Sequence, residues 1–181
     1  LFLHAPPNPE LKGTPVVEAV ARKLTGSRGF HDSRFSNRKL DSSYEGNGYG
    51  FSITNGFQRN HLLAIMRLNT DVVIDQITPE FGVYGTTSVE AMLVGAIPIA
   101  SVNPSLYPEM PPIIPAWSER TLRYAIQAIK EGVVAYDERS LVDLRRQGLE
   151  YAKTYHDPEV RAQESVGIYN EILGGRCGWP D

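Results

Sequence analysis

Short, continuous apolar runs alternate along this chain with longer stretches whose apolar residues recur every three or four positions. That is the pattern of buried parallel strands joined by amphipathic helices. The runs at 1–4, 51–54, 72–74 and 97–101 read as strands. Helical spacing connects Val17, Val20, Ala21 and Leu24, then Leu62, Ile65 and Met66, then Val89, Met92, Leu93 and Ala96. Thr14-Pro15 reads as the start of the first of these helices, with a capping hydroxyl and a proline in the first turn. Ser118 is expected to cap a fourth helix carrying Leu122, Ala125, Ile126 and Ile129, a fifth covers about 138–154, and Asp157-Pro158-Glu159 opens a sixth. Pro112-Ile113-Ile114 reads as a short edge strand.

The fold class is therefore α/β: a single doubly wound, Rossmann-like domain over 1–173, with a parallel sheet and helices on both faces. Residues 26–50 break the pattern. They are rich in Gly, Ser, Asn and charge, their aromatics show no period, and they read as a flexible insertion. Its basic cluster (Arg28, Arg34, Arg38, Lys39) is either a solvated loop or a contact for an anionic partner. Residues 174–181 read as a frayed tail.

Composition narrows the function classes. A chain of 181 residues with 41% hydrophobic residues can bury roughly 70% of its unfolded surface, so it needs no staple to hold a core. Its single cysteine, Cys177, makes no internal disulfide, and its four histidines are too scattered for a zinc site. The net charge of -3 supplies no general basic field for nucleic acid. No apolar run approaches the roughly 20 residues of a membrane span. A cytoplasmic protein is expected, with peripheral membrane contact left to a longer chain; the apolar start without methionine suggests that a longer chain exists.

Two predicted strand-to-helix turns combine glycine with polar residues. In the first, Lys12-Gly13-Thr14 sets an ammonium beside free amides at a helix start, a geometry that suits phosphate; the alternative is a solvated lysine. In the second, Gly82-Val83-Tyr84-Gly85-Thr86 leads into a helix carrying Glu90, expected on the face opposite Val89 and near Thr86 and Thr87. Gly85 is positioned to bring bare amides against a ligand. Glu90 is placed to accept bonds from two neighbouring hydroxyls, as on a ribose, or else faces solvent. Asp75-Gln76 ends a buried strand, either lining a crevice or capping the strand end. His4 ends the first strand, lining the same region or serving as a hydrogen-bonded structural histidine.

Taken in order, Lys12-Gly13-Thr14, Asp75-Gln76, and Gly82, Tyr84, Gly85, Glu90, Ala91, Met92, Gly95 and Pro98 resemble the carboxyl-terminal domain of glycosyltransferases of the GT-B fold, nearest to family 4. His156-Asp157-Pro158-Glu159 and the helix after it resemble the end of that domain, whose last helix crosses back towards a partner domain. The resemblance covers nearly the whole chain except 26–50. It implies a site for a nucleotide-diphosphate sugar, with Lys12, Gly13, Tyr84, Gly85 and Thr86 at the diphosphate and Glu90 at the ribose. Glu80, Gly82 and Val83 are implied near the donor sugar, and His4, Asp75 and Gln76 in the crevice. It further implies retention of anomeric configuration, a nucleotide sugar as substrate rather than a cofactor, no metal, and a separate amino-terminal domain that binds the acceptor.

The chain departs from that pattern twice. Pro6 stands where the family usually carries an arginine, so half of a cationic clamp is missing. Gly82 stands where a second glutamate is usual, with Glu80 two positions upstream. Both departures leave open a scaffold domain of the same fold that has lost catalysis. An epimerase acting on free nucleotide sugars shares the architecture. A dinucleotide oxidoreductase lacks support, because no Gly-x-Gly-x-x-Gly follows the first strand.

Overall fold

A computed structural model describes residues 1–27, 30–31, 41–54, 57–78, 82–107, 109–134 and 137–174. The chain runs through Phe2–His4 (β1), Thr14–Thr25 (α1), Phe30–His31 (β2), Asp41–Gly46 (β3) and Tyr49–Thr54 (β4). Next come Arg59–Asn69 (α2), Val72–Ile74 (β5), Thr86–Leu93 (α3), Ile97–Ala100 (β6) and Ile114–Pro115 (β7). It continues through Glu119–Lys130 (α4), a small hairpin of Val133–Val134 (β8) and Asp137–Ser140 (β9), then Leu141–His156 (α5) and Pro158–Leu173 (α6).

One mixed sheet in the order β2-β3-β4-β1-β5-β6-β7 organises these elements. From β4 to β7 every pairing is parallel, with Phe2 of β1 between Phe51 and Val72 and His4 between Ile53 and Ile74. Alternation along the strands sends side chains to opposite faces. Phe2, Phe51, Ile53, Val72, Ile74, Ile97 and Ile99 pack with Val17, Val20 and Leu24 of α1 and Leu122 and Ile126 of α4. Leu3 and Val73 point the other way, against Met66 of α2 and Ala91 of α3. α5 closes on α3 at Gly148, where an added Cβ would lie 3.2 Å from Met92 Cγ. The fold is α/β and Rossmann-like, with helices on both faces.

Topology also locates the crevice. From β1 the chain goes to β4 on one side, then crosses back to β5 on the other and continues outward to β6 and β7. The winding direction therefore reverses between β1 and β5. Open α/β sheets bind ligands outside the carboxyl ends of the strands at such a switch point.

Several local readings are corrected. Residues 41–46, read as loop, form β3 and pair antiparallel with β4, adding an antiparallel edge to the parallel sheet. The hairpin turns at Asn47 (φ 51°) and Gly48 (φ 74°), the two left-handed residues that match the twist of paired strands. Tyr44 lies opposite Phe51 and both are buried, which draws this hairpin onto the core. The amino-terminal cap of α1 is Gly13 rather than Thr14, whose hydroxyl bonds the His4 ring instead. Leu93 faces solvent, because Ser88, Ala91 and Met92 form the inward side of α3. Residues 137–140 are strand β9, so α5 starts only at Leu141, behind a Ser140 cap.

Candidate functional site

The site begins with a close approach of two loops. Gly13, at φ 72°, has so little space that an added Cβ would lie 2.4 Å from the Ile77 carbonyl oxygen. Across the same junction the Ile77 N–H donates to the Lys12 carbonyl at 3.2 Å. The β1–α1 loop is thereby docked on the segment that follows β5, and the Lys12 side chain is carried to the strand end.

There the Lys12 ammonium donates to Asp75 Oδ1 at 2.8 Å and to Gln76 Oε1 at 3.0 Å. Asp75 Oδ2 accepts from the Gly85 N–H at 3.0 Å and from the Ser88 hydroxyl at 2.9 Å. Gln76 in turn donates to the Val83 carbonyl. Asp75 is thus a carboxylate, 1% exposed, held by one cation, one amide and one hydroxyl, while Lys12 remains 19% exposed. A buried charge requires such compensation. The lysine, read from sequence as a phosphate contact or a solvated side chain, is paired with this carboxylate.

Gly85 is small for a reason visible in the geometry: a Cβ there would lie 2.9 Å from Asp75 Oδ2 and 3.1 Å from Lys12 Nζ. Gly85 is the amino-terminal cap of α3 with no side-chain cap bond; its own N–H, expected to be bare, is taken by Asp75, and the Thr86 and Thr87 amides open the helix. Thr86, at that turn, lines both clefts of the site. Thus Lys12, Asp75, Gln76 and Gly85 come together, with Thr86 next to Gly85 in the chain.

Two clefts flank Glu90. One, of about 560 Å³, lies between the β1–α1 loop and the starts of α2 and α3, with Pro6, Thr54, Phe57 and Thr87 in its wall. The other, of about 490 Å³, runs along α3 to the end of α5, past Val89, Lys153 and His156. Glu90 and Val89 line this second cleft together, correcting the expected opposition, since adjacent helical residues are only 100° apart. Arg59, not singled out in the sequence, borders both clefts and places its Nε 2.6 Å from Glu90 Oε1. No local motif announces it; only the folding of α2 beside α3 brings the pair together.

The remaining candidates divide. Tyr84 turns its hydroxyl towards α5, 2.9 Å from His156 Nε2 and 3.2 Å from the Tyr151 hydroxyl, with its ring stacked on Tyr107. Burial pushes the Tyr84 phenol well above its ordinary value and the His156 imidazole below its own, so both are neutral at pH 7. Gly82 adopts φ 59° beside Asn103, and Val83 is exposed. Glu80 lies outside the described residues. His4 is buried, with Nδ1 2.8 Å from the Ile74 carbonyl and Nε2 2.9 Å from the Thr14 hydroxyl, and borders neither cleft.

Among the described residues no group of three or more His, Cys, Asp or Glu side chains is placed to hold a metal ion. No described helix is long and apolar enough to cross a membrane. Fold and crevice together define an α/β, Rossmann-like domain with a polar site at its switch point. A scan against protein-family models gives no match, and a search of curated proteins gives none either.

Proposed function

We propose that this chain is the donor-binding domain of a GT-B glycosyltransferase similar to family 4. Two observations support the reading: a Cβ added at Gly85 would lie 3.1 Å from Lys12 Nζ, and Gly85 and Glu90 line one cleft along α3. In this reading a nucleoside diphosphate lies with its phosphates at the lysine and the first turn of α3 and its pentose at the glutamate. In transfer, the bond from the anomeric carbon to the diphosphate oxygen breaks, a bond to an acceptor oxygen forms, and the acceptor's proton is released. The departing diphosphate gains charge, and fixed amides with an ammonium at that point lower the barrier. Retention of configuration and operation without a metal come with the resemblance.

The acceptor would lie on a second domain. α6 supports this: every residue of Pro158–Leu173 is exposed, among them Val166, Ile168, Tyr169 and Leu173. A helix in water gains most of its stability from packing, and a partner domain would supply it.

A second reading, a scaffold that kept the fold and lost transfer, draws on one observation. Both charged candidates already have protein partners, Lys12 with Asp75 and Glu90 with Arg59. A thermal-shift panel of nucleoside diphosphates and their sugars separates the two, because selective binding to the native state raises the melting temperature. A donor domain responds to at least one of them; a scaffold responds to none. Lys12→Ala alone would strand a buried carboxylate, so the informative variant is Lys12→Met with Asp75→Asn, which removes both charges. It is expected to fold and to bind the responding diphosphate about 10- to 100-fold more weakly, the worth of a charged hydrogen bond. Undiminished affinity in calorimetry would refute a phosphate role for Lys12.

A further inference from the structure

Glu90 is 10% exposed and its nearest cation, Arg59, is 71% exposed. The two come from different helices, Arg59 from the first turn of α2 and Glu90 from the middle of α3. α2 is seated by Met66, buried on the sheet, so the start of the helix is fixed relative to α3. The closest approach is between Arg59 Nε and Glu90 Oε1, at 2.6 Å. An ionised carboxylate has about four acceptor positions on two oxygens, and a guanidinium offers its donors from a rigid planar fork. The carboxylate thereby keeps acceptor capacity for a ligand in the clefts that both residues border.

The geometry points to Arg59 as a positioning residue for Glu90. It holds the carboxylate in one rotamer, so that its remaining acceptor positions meet the vicinal hydroxyls of a ribonucleotide. The inference rests on the donor-site reading and deepens it: the pentose is recognised by a two-residue unit, not by a lone glutamate. It also locates a cation in a site where Pro6 removes one, and gives that cation a task at the sugar of the nucleotide rather than at its phosphates. Because Arg59 is mostly exposed, its pair with Glu90 contributes little to folding, and substituting it leaves a folded chain to measure.

The experiment is calorimetry on the full chain with matched ligands: UDP, GDP and ADP, each against its 2′,3′-dideoxy counterpart. Wild type is expected to prefer the ribose form of the nucleotide it binds. Arg59→Ala should weaken the ribose form about 10-fold, the worth of one charged hydrogen bond, and leave the dideoxy form within twofold. Arg59→Lys should restore part of the loss, and Arg59→Ala should cost nothing further on a Glu90→Gln background. Equal loss for ribose and dideoxy forms would overturn the inference, since Arg59 would then touch phosphate or base itself. Tighter binding in Arg59→Ala would overturn it as well, making Arg59 a competitor for Glu90. If wild type binds none of the nucleotides, the donor-site reading fails first. If wild type discriminates the pentose and Arg59→Ala still does, only the role of Arg59 fails.

Discussion

Gly13→Ala is expected to destabilise the domain by about 2–4 kcal/mol, the sum of a left-handed backbone penalty of about 1 kcal/mol and an overpacking cost of about 1–3 kcal/mol. The second contribution arises because the added Cβ would meet the Ile77 carbonyl oxygen at 2.4 Å, a backbone atom that cannot swing aside. Gly95 is the control: at φ 82° it is equally left-handed, but an added Cβ meets nothing within 4 Å. Gly95→Ala should therefore lose only the conformational part, about 1 kcal/mol. Urea titrations of the two variants and wild type read the difference directly. Similar losses for both would mean that the loop carrying Lys12 does not press on the segment after β5, and the site as described would lose its foundation. Against a typical domain stability of about 5–15 kcal/mol, Gly13→Ala should remain folded at 25 °C.

The same contact shows which parts of this protein were legible in its sequence. The parallel strands β1, β5 and β6 and the helices between them follow from periodicity, because each must bury one defined set of side chains. Tyr44 and the Asn47-Gly48 pair signal the hairpin, but a search for helical period passes over both, and a Gly- and Ser-rich stretch then looks like loop. Lys12, Gly85 and Glu90 were readable as candidates because glycine and charge sit at predicted strand-to-helix turns. Their pairings were not readable, although Asp75 was itself a candidate. Asp75 answers Lys12 across 63 residues of chain, and Arg59 answers Glu90 from another helix. Such pairings depend on the path of the backbone and leave no local pattern. Thr14 shows the limit within a single turn, since its hydroxyl was free to cap α1 or to bond His4, and the buried imidazole decides the competition.

That imidazole also dictates how the fold responds to acid. His4 is neutral at pH 7, with Nδ1–H donating to the Ile74 carbonyl and Nε2 accepting from the Thr14 hydroxyl. Burial is the main cause that pushes its pKa from 6.5 down to about 4, and the Ile74 bond opposes it. Between those values the unfolded chain takes up a proton that the folded chain refuses, so stability falls as pH falls. The contribution is complete well above pH 6.5 and lost by pH 4, and amounts to about 2–3 kcal/mol between pH 7.5 and 4.5. His156 is also lowered, by burial, but lies nearer the surface and adds less. Urea titrations across this range should therefore show a steep loss in wild type that corresponds to a melting temperature about 5–10 °C lower. His4→Asn should start less stable and lose far less on acidification. An equally steep loss in that variant would assign the acid sensitivity elsewhere and remove the reason for Thr14 to leave its cap.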